Sequence, residues 1–96
     1  MNPTPKAKPI RSNRYLDFIR SKTCAWCNSR IEVQAAHQSL GNKGTGSKVS
    51  DLQAIPLCAS CHREEHQKGR KFKDIGFVAI LCVGYINEYF TNGGKL

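Results

Sequence analysis

The sequence predicts a small α+β domain: a ββα unit stapled by a Zn(Cys)4 site, with a helix on either side. Three observations predict it. Four of the five cysteines fall in two C-x-x-C pairs, Cys24/Cys27 and Cys58/Cys61, with thirty residues between the pairs. Two short apolar segments flank a glycine-rich stretch, the pattern of two strands joined by a loop. Two further segments carry apolar residues at helical spacing, one before the first cysteine pair and one after the second. The chain has 96 residues, enough for one domain. A domain of this size buries about 60–65% of the surface its unfolded chain exposes, so its core is small.

The elements follow in order. Residues 1–12 hold three prolines, three basic residues and no acid, and read as a flexible basic arm. Residues 13–96 form the single domain. Asn13 is placed to cap a helix to about Ser21, with Leu16/Ile19 and Tyr15/Phe18 each three apart. After the first knuckle, residues 31–38 read as a strand, with Ile31, Val33 and Ala35 alternating against Glu32, Gln34 and Ala36. Residues 39–50 contain three Gly and four Ser or Thr and read as a loop. Residues 51–57 read as the returning strand, ended near Pro56, which cannot donate to a ladder. The second knuckle runs into a helix ending near Gly69. Residues 75–90 read as a last helix, with Ile75, Val78, Ala79, Cys82, Ile86 and Tyr89 on one face and Asn92, Gly93 and Gly94 at its end.

The paired cysteines point to metal. Each C-x-x-C turn directs two thiolates to one side, and two such knuckles complete a tetrahedron around Zn²⁺. Zinc then contributes directly to folding. Cys58-Ala-Ser-Cys61-His62 also fits the C-x-x-C-H haem attachment pattern, but that reading strands Cys24 and Cys27. No βαβ unit surrounds Cys24-Ala-Trp-Cys27, as a redox pair would require. Cys82 lies among apolar residues and reads as a small hydrophobe.

Charge narrows the partners. Fifteen Lys and Arg against seven Asp and Glu give +8, which favours a polyanion such as nucleic acid. No apolar run reaches the ~18–20 residues of a membrane span. The N-terminus lacks the apolar core of a secretory signal, so a cytoplasmic location is expected. The stretch from Gly41 to Lys48 resembles a phosphate loop, but Ser47-Lys48 inverts the required order.

The three histidines lie between the two knuckles or just after the second. His62 and His66 are four apart and project from one helix face, an arrangement that suits two imidazoles on one metal. His66 also stands among Arg63, Glu64, Glu65 and Lys68, the composition of a solvated face. His37 ends the first strand. A ββα fold brings it over the start of the helix that carries His62.

These elements in this order resemble HNH (ββα-metal, His-Me finger) endonucleases with two C-x-x-C zinc knuckles. More narrowly, YLDFIRSKTCAWC, EVQAAHQSLGNKGTGSKVSDLQAIPLCASCHREEHQKG and INEYF resemble the phage Ref-like, RecA-dependent recombination-enhancement nucleases. The resemblance covers residues 11–90. It implies His37 as the general base that activates water, with Asp51 at the position that orients it. It implies His62 and His66 as ligands of a catalytic divalent metal, Mg²⁺ or Mn²⁺ by preference, beside the structural Zn²⁺. Products with 5′-phosphate and 3′-hydroxyl ends follow, with DNA as substrate and the RecA filament as a partner in a bacterial host. Ala36 departs from the pattern, since many HNH enzymes carry a metal-binding Asp or His there.

The basic residues expected on DNA are Arg11, Arg14, Lys43, Lys48, Lys68, Arg70, Lys71 and Lys73. The leading expectation is therefore a metal-dependent DNA endonuclease. The alternative is a non-catalytic zinc-stapled module that binds nucleic acid through the arm, the 68–73 patch and Trp26. A third class uses the 75–90 helix as a partner surface.

Overall fold

In the computed structural model, residues 9–39 and 49–96 are described. The elements are α1 (Asn13–Arg20), β1 (Val33–His37), β2 (Ala54–Cys58), α2 (Ala59–Lys68) and α3 (Ile75–Thr91). A single 3-10 turn, Asp51–Gln53, precedes β2. The sheet has two antiparallel strands, in register from Val33 opposite Cys58 to His37 opposite Ala54. The chain is thus a small α+β fold of three helices on a two-stranded sheet, and β1, β2 and α2 follow one another in ββα order.

Both faces of the hairpin are covered. Ala36, Ile55 and Leu57 pack with Cys24, Cys58 and Cys61 of the knuckles and with Val78 and Cys82 of α3. On the other side Tyr15 and Ile19 of α1 meet Tyr89 of α3, with Ala35 and Leu52 beside them. Burying a side chain such as Ile19 contributes about 1.5–3 kcal/mol, so the two clusters are modest and the knuckles must help. Among the described residues no helix is long and apolar enough to cross a membrane.

Several boundaries differ from the sequence reading, each for a local reason. Ser12, not Asn13, caps α1: its Oγ accepts from the Tyr15 N–H at 3.1 Å. β1 begins at Val33 because Glu32 sits at φ 51°, a left-handed conformation that breaks strand geometry. Ile31 is therefore outside the strand and 75% exposed. The segment read as the start of the second strand turns instead, with the Ser50 Oγ accepting from the Leu52 N–H at 3.2 Å.

Pro56 lies inside β2 rather than at its end. Its carbonyl accepts from the Ala25 N–H at 2.8 Å, so its backbone polar groups face away from β1. The missing N–H costs the ladder nothing there, and the contact ties the first knuckle to the sheet. The helix over 75–90 is present and buries Val78, Cys82 and Tyr89, whereas Ile75 is 43% exposed. Its outward side remains apolar, with Phe77, Ile80 and Val83 exposed.

Candidate metal centre and histidine site

The first knuckle closes on local hydrogen bonds. Cys24 Sγ accepts from the Cys27 N–H at 3.5 Å, and the Cys24 carbonyl accepts from the Asn28 N–H at 2.9 Å. Asn28 takes φ 63°, which Asn tolerates better than most side chains. The second knuckle is the start of α2. Cys58 ends β2 as the helix N-cap and Cys61 sits in the first turn, where the positive end of the helix dipole favours thiolates.

The four sulfurs lie within 4.8 Å of one another. Cys27 Sγ is 3.7 Å from Cys58 Sγ and 3.8 Å from Cys61 Sγ. A tetrahedron with Zn–S bonds of 2.3 Å has edges of about 3.8 Å, so the spacing fits a four-thiolate zinc. It excludes a disulfide, whose sulfurs are about 2.05 Å apart. Ionisation points the same way. Burial raises the Cys24 thiol, but the backbone N–H groups of Cys27, Cys58 and Trp26 outweigh it and bring it down to about 6. Burial and the neighbouring thiols push Cys61 well up. One thiolate thus opposes the others, and a shared cation removes the conflict. The four cysteines can hold a structural metal, as the spacing of the pairs predicts.

His62 and His66 form a second cluster, on the exposed flank of α2. Their Nε2 atoms are 3.2 Å apart and their ring centroids 4.7 Å apart. Two nitrogens at that separation, each about 2.1 Å from one cation, subtend roughly 100° at it, between octahedral and tetrahedral angles. Gln34 on β1 fixes the tautomer: His62 Nδ1 donates to Gln34 Oε1 at 2.7 Å, which leaves the Nε2 lone pair for a metal. Burial first, and then the neighbouring His66, lower the His62 pKa and favour the neutral ring a metal needs. The two rings, Gln34, Ala59, Arg63 and Gln67 line an open hollow of about 420 Å³. Among the described residues no third His, Cys, Asp or Glu joins the pair within ligand distance. The side chain of Ala36 offers none.

His37 is held by a different partner. Its Nε2 lies 2.8 Å from Asp51 Oδ1. Asp51 is 4% exposed, and its carboxylate also accepts from the Ser12 N–H at 2.7 Å and from Arg11 at 3.2 Å. Burial raises the Asp51 carboxyl, but the His37 bond, the Ser12 N–H and the charges of His37 and Arg11 outweigh it and hold the carboxyl below its usual range. His37 does not line the hollow at His62 and His66. Alternation explains this: the pleat puts Gln34 and Ala36 on the α2 side of β1 and turns His37 to the side of Val33 and Ala35. The charge of His37 still acts on His62, so the end of β1 stands near the helix that carries it.

The basic residues divide. Arg11 is spent on Asp51 and on the Val49 carbonyl at 2.6 Å, and the Asp51 N–H donates to the Ile10 carbonyl. The last residues of the stretch read as an arm are therefore pinned to the 3-10 turn. Lys71 pairs with Glu64 at 2.5 Å. Arg14, Lys68 and Lys73 are exposed and Arg70 half-buried, none of them in an ion pair among the described residues. Lys43, Lys48 and residues 1–8 lie outside the described residues. Sequence reading missed Gln34 as the partner of His62. Alternation puts Gln34 on the same strand face as Ala36, but that α2 covers this face is a contact across the chain with no local signal.

Comparison with known proteins gives distant relatives. The chain is 29% identical over 70 residues to the "Uncharacterized protein YdfU" of Escherichia coli, covering 73% of this chain and 20% of that protein. It is 30% identical over 91 residues to the "Putative COX1/OXI3 intron 1 protein" of Saccharomyces cerevisiae, covering 74% of this chain and 11% of that protein. It therefore spans a fifth or less of the length of these relatives. No solved structure matches. The family model described as "Protein of unknown function (DUF968)" matches residues 2–87, and the chain belongs to that family.

Proposed function

We propose that the chain is a metal-dependent endonuclease of HNH type, hydrolysing phosphodiester bonds in DNA. The observation that carries this reading is the pairing of His37 with the buried carboxylate of Asp51 at 2.8 Å. It belongs to the same ββα unit as two imidazole nitrogens spaced for one cation. Asp51 accepts a hydrogen bond from Nε2–H and fixes the orientation of the ring. Nδ1 is then the nitrogen that takes a proton from the attacking water. His62 and His66 would hold the divalent metal, with Gln34 orienting His62. Bound there, Mg²⁺ or Mn²⁺ supplies charge that polarises the scissile phosphate and screens the leaving 3′ oxygen. With His62 and His66 as its side-chain ligands, such a site would leave its other positions to water and phosphate oxygens, consistent with Ala36 carrying no ligand atom.

The four-cysteine site is structural zinc in this reading. It joins α2 to the hairpin, so the metal-holding helix and the base-bearing strand keep their relation. The name of the yeast relative, an intron protein, is compatible with an activity on nucleic acid. The resemblance to Ref-like nucleases adds a phage or prophage setting in a bacterial cytoplasm, and RecA filaments as the partner. The reading is tested by incubating the zinc-loaded protein with single-stranded and supercoiled DNA, with Mg²⁺ or Mn²⁺, with and without RecA. Cutting that needs the divalent ion and leaves 5′-phosphate and 3′-hydroxyl ends is expected. DNA binding with no cutting under any of these conditions favours the non-catalytic zinc module.

A further inference from the structure

In and beside the 68–73 basic patch lie three aromatic side chains to which the nuclease reading gives no role. Trp26, the only tryptophan of the chain, sits between the two cysteines of the first knuckle and is 51% exposed. Phe72, in the connection from α2 to α3, meets it edge-on with ring centroids 5.1 Å apart. Phe77, in the first turn of α3, continues the line at 5.4 Å from Phe72 and is 46% exposed. Three rings from three elements therefore form one aromatic row beside the zinc knuckle. The zinc site and the Phe72 contact with the main core hold the row in place.

The charges around the row are basic. Arg70, Lys71 and Lys73 come from the same connection as Phe72, and Lys68 ends α2 just before it. Lys71 Nζ lies 5.2 Å over the Trp26 ring and binds Glu64, so that acid is already neutralised. The Asp74 carboxylate is occupied as well, accepting from the Gly76 and Phe77 N–H groups at the start of α3. Lys68, Arg70 and Lys73 make no ion pair among the described residues. Half-exposed aromatic rings interleaved with unpaired cations match unpaired bases on a phosphate backbone. A duplex offers the phosphates but keeps its base faces stacked on one another, so it has no use for the row.

We propose that the Trp26–Phe72–Phe77 row, with Lys68, Arg70 and Lys73, seats the unpaired bases of a single-stranded nucleic acid. The proposal deepens the nuclease reading by naming the strand form of its substrate, and it can fail independently of that reading. Glu64, which engages Lys71, and His62 and His66 belong to the same helix. A strand on the row therefore lies around α2 from the metal-holding side chains. Base stacking tolerates sequence, so affinity should follow strand form and salt rather than base identity.

The test uses the zinc-loaded full chain carrying His37→Ala, without added Mg²⁺ or Mn²⁺, so that binding is read apart from cutting. Oligo-dT, oligo-U and a DNA duplex of equal length are titrated while the fluorescence of Trp26 is followed. Quenching by either single strand, absent with the duplex, is expected. Binding of labelled single strand, read by anisotropy, should weaken about tenfold or more in Trp26→Ala and by about threefold or less in Trp26→Phe. Zinc content is measured for each variant, and the wild-type quench needs no substitution at Trp26. Unchanged Trp26 fluorescence on binding overturns the proposal, as does an equal loss on single strand and duplex in Trp26→Ala. Cutting with a silent Trp26 overturns the row and leaves the nuclease. Quenching without cutting leaves the row and removes the nuclease.

Discussion

His37 and Asp51 are joined by a hydrogen bond of 2.8 Å between Nε2 and Oδ1, across fourteen residues of chain. The bond links the end of β1 to the 3-10 turn before β2. The same carboxylate holds the Ser12 N–H and Arg11, so it also anchors the start of α1. One buried acid thus orients the proposed base and fastens the N-terminal helix to the hairpin.

Asp51→Asn should therefore destabilise the fold, by about 2–3 kcal/mol in denaturant melts, since it removes the charge from a buried group with three partners. The pH dependence has a definite sign. The Asp51 carboxyl titrates below its usual value of 3.8 in the folded protein. Its contribution is complete above that value and is lost as pH falls through the lower folded value. The gap between wild type and Asp51→Asn should stay constant above about pH 4 and close only below it. A gap that closes between pH 5 and 7 would place the controlling titration elsewhere.

Zinc removal should unfold the domain rather than loosen one corner of it. The knuckles supply Cys24, Cys58 and Cys61 to the main cluster, and little other core exists to replace them. Metal analysis should give one zinc per chain, released by thiol modification. Chelation, or Cys61→Ser, should abolish the cooperative thermal transition. A chelated protein that melts as before would separate these sulfurs from the fold.

Gln34→Leu should weaken divalent metal binding at His62 and His66 about 10- to 100-fold, because the His62 tautomer is no longer fixed. Gln34→Glu, which still accepts from Nδ1, should bind at least as tightly as wild type. Calorimetric titration with Mn²⁺ or Ni²⁺ on the zinc-loaded protein measures this. Equal affinities for wild type and Gln34→Leu would show that Gln34 plays no part in holding His62.

Much of the fold was legible because its signals are local. The two C-x-x-C pairs, the i,i+4 histidines and the helical spacing of Val78, Cys82 and Tyr89 each depend on chain geometry over a few residues. The errors came from contacts across the chain. Pro56 looked like a strand end because nothing local shows that its polar groups face Ala25 rather than β1. Asp51 looked like a strand residue because its partners, Arg11, Ser12 and His37, are distant in sequence. Which strand face α2 covers is set by tertiary packing, and that made Gln34 the partner of His62. Ile31 continued an apolar alternation, and the left-handed Glu32 that interrupts it has no sequence signature.

The central claim, that His37 activates water for attack on a phosphodiester, is tested most directly by cleavage with His37→Ala. Wild type and variant, both zinc-loaded, are compared on the same DNA with Mg²⁺ or Mn²⁺, and DNA binding is measured alongside. The variant should bind DNA and metal like wild type while its cleavage rate falls by about 10²–10⁴-fold, the usual contribution of a positioned base. Cleavage by His37→Ala at the wild-type rate would contradict that claim.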